Sequence, residues 1–120
     1  MSLPCPGLME FVESGDRGSP ELRDYLEHLL NPYLRQKVTA VVLGCTHYPF
    51  IKPLIASFFP KETKILDGNG GTVRQLKRVL KQRDLLKTEG PGTVTLETSG
   101  NSQTLSLMKA MFEEAKGMIP

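Results

Sequence analysis

Three side chains that can donate or accept protons occupy consecutive positions in this sequence: the thiol of Cys45, the hydroxyl of Thr46 and the imidazole of His47. They follow an apolar run that ends at Gly44, and Pro49 comes shortly after them. A thiol between a buried strand and a helix lies near free backbone N–H groups, which favour the thiolate. The hydroxyl can add a hydrogen bond, and the imidazole can exchange a proton within the same loop. We therefore expect any chemistry to centre on this loop.

Three other interpretations of Cys45 compete with catalysis. A free cysteine is usually a small buried hydrophobe. A cysteine and a histidine two positions apart can bind metal, but Cys5 and His28 are the only other soft ligands and neither has zinc-site spacing. A thioredoxin-like redox site lacks its second cysteine. We therefore expect no metal and no disulfide chemistry at this loop.

The spacing of apolar residues predicts the elements that hold this loop. A helix is predicted from Pro20 to Leu30, because Tyr25 and the leucines recur at three-and-four spacing and Ser19 suits the N-cap. The run from Val38 to Leu43 is nearly all β-branched or aliphatic, which predicts a strand buried on both faces. A helix from Pro49 to about Phe59 follows, and Pro60 ends it.

The rest of the chain continues this alternation of strands and helices. The predicted elements are a strand at Lys64 to Leu66, a loop at Asp67 to Gly71, a helix marked by Val73, Leu76, Val79 and Leu80, a strand at Thr93 to Thr98, and a helix at Leu105 to Ala115 entered near Ser102. This order predicts an α/β fold with a parallel sheet flanked by helices and right-handed crossovers. Ligands bind beyond the carboxyl ends of such strands, where the cysteine loop would lie.

Composition excludes several classes of protein. At 120 residues, with 39% hydrophobic and 23% charged residues, the chain suits one small domain. The longest apolar run, Ala40 to Leu43, is far too short to cross a membrane. The basic cluster from Arg74 to Lys87 alternates with apolar residues in helical rhythm, which indicates a solvated helix face rather than a nucleic-acid surface. Two cysteines without a signal peptide favour a reduced cytoplasmic setting.

A family resemblance covers nearly the whole chain. The run from Val41 to Phe50 resembles the second catalytic-cysteine motif of glutamate racemases almost residue for residue. Cys5-Pro6 with Phe11 to Gly15, Ile65 to Asp67 with Gly71 to Arg74, and Thr98 to Asn101 are similar to other segments of that family, in the same order. The resemblance implies an incomplete part of a two-domain aspartate/glutamate racemase-like fold. Met1 to Leu3 is interpreted as an expression remnant, and residues 4–120 as the carboxyl-terminal portion, about half of the enzyme.

The resemblance also implies a mechanism and roles for individual residues. Glutamate racemases use two cysteines, one on each side of the α-carbon, without any cofactor, because inversion removes a proton from one face and delivers one to the other. Cys45 would serve one face, Thr46 and His47 would contact glutamate, and His47 would also tune Cys45. Glu13 would be a supporting acidic residue, unless it is only a solvated turn carboxylate. The implied parent supplies D-glutamate for peptidoglycan and is expected to be a homo-oligomer.

The departures from the family pattern limit what this chain can do alone. The family's Asp-Ser-Gly segment, Tyr-Gly loop and first Cys-Asn-Thr motif are absent, and Cys5, in a Pro-Cys-Pro context, is interpreted as structural. We therefore expect the isolated chain to bind glutamate poorly and not to racemise it. The missing sheet neighbours should leave apolar surface exposed and favour self-association. Two alternatives stay open: a racemase for aspartate or another amino acid, and a noncatalytic α/β interaction module.

Overall fold

The chain forms a mixed α/β structure with one small parallel sheet. The computed structural model describes residues 1–118. Its elements are α1 (Leu8–Glu13), α2 (Pro20–Leu34), β1 (Ala40–Leu43), a 3-10 helix (Tyr48–Ile51), α3 (Lys52–Ala56), β2 (Lys64–Asp67), α4 (Asn69–Gln82) and α5 (Ser102–Lys116). They divide into two compact units, one from Met1 to Leu76 and the other from Lys77 onward, with the boundary inside α4.

The sheet confirms the predicted fold class. β1 and β2 pair in parallel over four residues each, with Ala40 opposite Lys64 and Leu43 opposite Asp67. The 3-10 helix and α3 form the connection between them, as a parallel pair requires. Both strands therefore end at the same edge of the sheet, which is where the cysteine loop begins.

The first unit has a core of its own. Its buried apolar side chains come from α1, α2, β1, the 3-10 helix and α3, and they are Leu8, Val12, Leu22, Leu26, Leu30, Leu43, Ile51, Leu54 and Ile55. The predicted helix after Ser19 is confirmed, with the Ser19 hydroxyl accepting a hydrogen bond from the Leu22 N–H at 3.1 Å. Helix α1, which the sequence reading did not predict, adds Leu8 and Val12 to this core.

Two predictions about the sheet and its connection are wrong in detail. β1 is not buried on both faces, because Val42 is 72% exposed, and its cross-strand partner Leu66 is 46% exposed. The face that carries Val42 and Leu66 is therefore partly open to solvent. The connection is not one continuous α-helix, because Pro53 has no N–H to bond the Pro49 carbonyl. The Lys52 N–H bonds that carbonyl instead, which gives a 3-10 turn.

The second unit departs further from the sequence prediction. Residues 93–98, predicted as a strand, have no regular structure, and Val94 is 65% exposed. Their alternation is strand-like, but within the described part of this unit no strand pairs with them. The final helix is confirmed as α5, with Asn101 as its N-cap. Helix α4 begins at Asn69, inside the segment predicted as a loop. No helix in residues 1–118 is long and apolar enough to cross a membrane.

Candidate active site

The cysteine loop is a tight turn at the carboxyl end of β1. The strand ends with the buried Leu43, and the next residues leave the sheet edge. The Tyr48 N–H donates to the Cys45 carbonyl at 3.3 Å, and the Phe50 N–H donates to the His47 carbonyl at 3.1 Å. These two bonds carry the chain directly into the 3-10 helix. The thiol therefore does not face the start of a long α-helix, and the helix dipole expected from the sequence is replaced by a short turn.

A thiol, an imidazole and a carboxylate lie in a row at this turn. The Cys45 Sγ is 3.6 Å from the His47 Nδ1, and the His47 Nε2 is 3.1 Å from the Glu13 Oε1. Glu13 is the last residue of α1 and lies 34 positions before His47 in the sequence. The structure thus brings together three of the four residues that the sequence selected. Glu13 contacts His47 and is 42% exposed, and its supporting role stays a prediction.

The order of the three groups decides what they can do. A carboxylate beside Nε2 accepts a hydrogen bond from the Nε2–H group, which leaves the lone pair on Nδ1 directed toward the thiol. His47 can therefore take the proton of Cys45, and the carboxylate of Glu13 stabilises the imidazolium that results. The side chains of His47 and Glu13 are 22% and 42% exposed, so bulk water reaches the row only in part. The arrangement suits a thiolate that accepts or returns a proton.

The fourth selected residue, Thr46, has a different position. It lies exposed on the turn between Cys45 and His47. Its hydroxyl can hydrogen-bond a ligand that approaches the turn from solvent, but its substrate-binding role stays a prediction.

A cavity of about 640 Å³ also borders Cys45. Both Cys5 and Cys45 line it, together with Tyr48 and apolar side chains of α2 and β1. Burial raises the pKa of the Cys5 thiol from its ordinary value of 9.0 and outweighs an opposing hydrogen bond to Tyr48. Cys5 is therefore a protonated thiol near neutral pH, and its Sγ donates to the Leu3 carbonyl at 3.4 Å. These contacts fit a structural cysteine rather than a second base.

Tyr48 contributes to this cavity in a way that the sequence reading missed. Burial, followed by the proximity of Cys5 and Cys45, raises its pKa to about 12, so the phenol stays neutral. The neutral hydroxyl can donate a hydrogen bond to the Cys5 thiol. The signal was present in the sequence, because Tyr48 belongs to the cysteine motif, but its position beside Cys5 depends on the fold.

The end of β2 is bonded to the helix that follows the cysteine turn. The Lys52 Nζ, at the start of α3, donates to the Asp67 Oδ2 at 2.8 Å. This hydrogen bond from Lys52 is the main reason that the pKa of Asp67 lies below its ordinary value of 3.8. It ties the loop after β2 to the helix that follows the cysteine turn. Within residues 1–118 no group of three or more His, Cys, Asp or Glu side chains could hold a metal ion.

Comparison with known proteins gives a consistent set of relatives. No family model matches the chain. A glutamate racemase of Clostridium perfringens strain SM101 is 40% identical over 114 residues, which are 92% of this chain and 44% of that protein. A glutamate racemase of Pseudomonas aeruginosa strain UCBPP-PA14 is 47% identical over 96 residues, which are 80% of this chain and 36% of that protein. The chain thus spans less than half the length of these relatives.

Two solved structures share the fold of this chain. Glutamate racemase from Thermus thermophilus, in complex with β-chloro-D-alanine, has a TM-score of 0.78 at 30% identity and matches 89% of this chain and 41% of its own. Glutamate racemase from Francisella tularensis, in complex with D-glutamate, has a TM-score of 0.65 at 28% identity and matches 74% of this chain and 33% of its own. The resemblance inferred from the cysteine loop is confirmed.

Proposed function

Because this chain is related to the glutamate racemases over nearly its whole length, we propose that residues 4–120 are the carboxyl-terminal portion of an isomerase that interconverts L- and D-glutamate. The observation that carries the proposal is the row of Cys45, His47 and Glu13 at the end of β1. It supplies one proton-transfer group, held in position by two others, at the sheet edge where α/β proteins bind ligands.

The proposed chemistry uses the thiolate of Cys45 on one face of the substrate. Its Sγ takes the α-proton of one enantiomer, and the electron pair of the broken C–H bond stays on the α-carbon as a carbanion. A second thiol on the opposite face then returns a proton and completes the inversion. In the reverse direction Cys45 begins as the thiol and donates. His47 holds the proton that Cys45 gives up on becoming a thiolate, and Glu13 stabilises the charged imidazole.

The second thiol is not assigned to Cys5. Burial keeps Cys5 protonated, and its hydrogen bond goes to the Leu3 carbonyl. The proposal places the opposing cysteine in an upstream half that carries the family's Cys-Asn-Thr motif. This chain alone then binds glutamate weakly and does not racemise it, since one base cannot serve both faces of the α-carbon.

The proposal includes the ligand class and the biological role. Solved relatives contain D-glutamate or β-chloro-D-alanine, which supports an amino acid carrying a carboxylate as the substrate. Thr46, exposed beside the thiol, and His47 are the proposed substrate-binding residues. The parent enzyme would use no cofactor, form a homo-oligomer, and supply D-glutamate for peptidoglycan in the cytoplasm.

The test joins this chain to an upstream half with the Cys-Asn-Thr motif, either its own or that of the Pseudomonas aeruginosa relative. Circular dichroism follows the conversion of L- to D-glutamate and the reverse. Cys45→Ala should abolish both directions, because the proton on one face then has no acceptor or donor, whereas Cys5→Ala should leave them nearly intact. Turnover by Cys45→Ala above about a thousandth of wild type would contradict the proposal. Racemisation of aspartate in place of glutamate would favour the alternative substrate.

A further inference from the structure

One side chain contacts both of the segments that carry Glu13 and His47. Arg17 lies in the turn between α1 and α2, and its Nη1 donates to the Val12 carbonyl at 2.7 Å and to the Asp16 carbonyl at 2.8 Å. Val12 is fully buried in the core and immediately precedes Glu13. The guanidinium therefore caps the carboxyl end of the helix that presents the carboxylate, where a positive charge is favourable.

The same guanidinium reaches the cysteine turn. Its central carbon lies 5.2 Å from the centre of the Phe50 ring, which is a cation–π distance. The Phe50 N–H donates to the His47 carbonyl at 3.1 Å, so the ring belongs to the turn that fixes the imidazole. Arg17 thus contacts the helix of Glu13 on one side and the turn of His47 on the other.

We infer that Arg17 is a positioning residue for the thiol site: it holds the end of α1 against the 3-10 helix so that the Glu13 carboxylate meets the His47 imidazole. The inference rests on the proposed function for its catalytic meaning, but its geometry is independent of the substrate. Glu13 ends a helix of only six residues and is 42% exposed, so α1 alone fixes it weakly. A guanidinium is planar and forked, so it can bond two carbonyls while it stacks on a ring, which an ammonium cannot do as well.

The test measures the row of three side chains in the 120-residue chain without glutamate. Nitrogen-15 NMR of the His47 ring reports whether its Nε2–H is held by a carboxylate, and the rate of Cys45 alkylation by iodoacetamide reports whether the imidazole activates the thiol. Glu13→Gln serves as the reference, because it shows the His47 nitrogen signal when the carboxylate is absent. Arg17→Met should move the His47 nitrogen signal toward that of Glu13→Gln. It should also slow the alkylation of Cys45 about two- to fivefold, which is the change in rate expected from the loss of one cation–π contact at a partly exposed site.

Two further variants separate positioning from a general loss of structure. Phe50→Leu keeps both hydrogen bonds of Arg17 and removes only the aromatic face, so it should shift the same two readouts in the same direction even if Arg17→Met fails to fold. Arg35→Met removes an exposed arginine that follows α2 and should change neither readout. Arg17→Met and Phe50→Leu giving the wild-type signal and rate would overturn the inference.

The outcomes also separate this inference from the proposed function. If Arg17→Met and Phe50→Leu shift the His47 signal but the joined enzyme does not racemise glutamate, the proposed function is wrong. Arg17 is then the positioning residue of a thiol site with other chemistry. If the joined enzyme racemises glutamate and neither Arg17→Met nor Phe50→Leu changes its rate or its KM, the positioning role of Arg17 is wrong and the proposed function stands. Because the NMR readout needs no substrate, neither result can be mistaken for the other.

Discussion

Helices α2 and α5 begin in the same way and end up in different surroundings. Each is fifteen residues long and starts at a capping side chain: the Ser19 hydroxyl accepts from the Leu22 N–H at 3.1 Å, and the side-chain Oδ1 of Asn101 accepts from the Thr104 N–H at 3.0 Å. Yet α2 buries three leucines, while none of the residues of α5 is buried. Local signals therefore form both helices, but only the first contributes to a core.

This difference extends to the two units that contain these helices. All buried side chains among the described residues lie between Leu8 and Thr63, and so do Cys45, His47 and Glu13. The second unit exposes Leu85 and Val94 by 66% and 65%. A site that depends on fixed distances needs packed neighbours, because a packed core prevents its side chains from drifting. The unit with the core is therefore the one expected to hold the thiol site without help from the other.

The largest expected effect comes from matched leucine truncations. Leu26→Ala, in the core of the first unit, should lower the free energy of unfolding by about 2 to 5 kcal/mol, since it removes buried methyl groups and leaves a cavity. Leu107→Ala, at a half-buried position of α5, should cost less than about 1 kcal/mol. Urea titration followed by circular dichroism gives both values. Equal decreases in the free energy of unfolding would mean that Leu107 contributes as much to stability as Leu26, and the two units would not differ in their cores.

A smaller effect is expected from the two caps. Ser19→Ala should cost about 1 kcal/mol, because it leaves the Leu22 N–H without its acceptor. This loss should appear in the global unfolding transition, since α2 is part of the core. Asn101→Ala removes the equivalent bond in α5 and should mainly speed amide hydrogen exchange within that helix. If Asn101→Ala lowers the protection of backbone amides from hydrogen exchange throughout the first unit, the two units unfold together. The difference between them in stability would then be wrong.

The smallest effect concerns pH and is confined to the first unit. Hydrogen bonds from the Ser19 hydroxyl and from the Ser19 and Gly18 N–H groups hold the pKa of Asp16 below its ordinary value of 3.8. A carboxylate with a lowered pKa stabilises the fold above its unfolded pKa, and this contribution is lost as the pH falls through the folded pKa. Acid should therefore loosen the turn between α1 and α2.

Asp16→Asn provides the measurement of that contribution. The stability difference between wild type and Asp16→Asn should be largest near neutral pH and shrink below about pH 4. Asp24→Asn, an exposed change on α2, is the matched control. A wild-type to Asp16→Asn difference that stays constant from neutral pH to about pH 2 would show that the hydrogen bonds of Asp16 do not depend on its charge.

Sequence reasoning succeeded where a signal was local. Ser19 and Pro20 marked the start of α2, and the cysteine motif selected the loop that holds the candidate site. It failed where the outcome depended on a neighbour. Val42 is expected to be buried because β-branched runs usually have cover on both faces, but the two-stranded sheet leaves it 72% exposed. Residues 93–98 alternate like a strand, yet alternation forms a strand only when another strand supplies hydrogen bonds.

By itself, the sequence determined the α/β class and the parallel order of β1 and β2, and it selected Cys45 and His47 as the predicted reactive pair, because each depends on residues close together in the chain. Only the tertiary structure decided that Glu13 meets the Nε2 of His47 at 3.1 Å across 34 positions. It alone also decided that Arg17 lies against Phe50. Contacts between distant segments are set by how a core packs, and no local spacing rule encodes that packing.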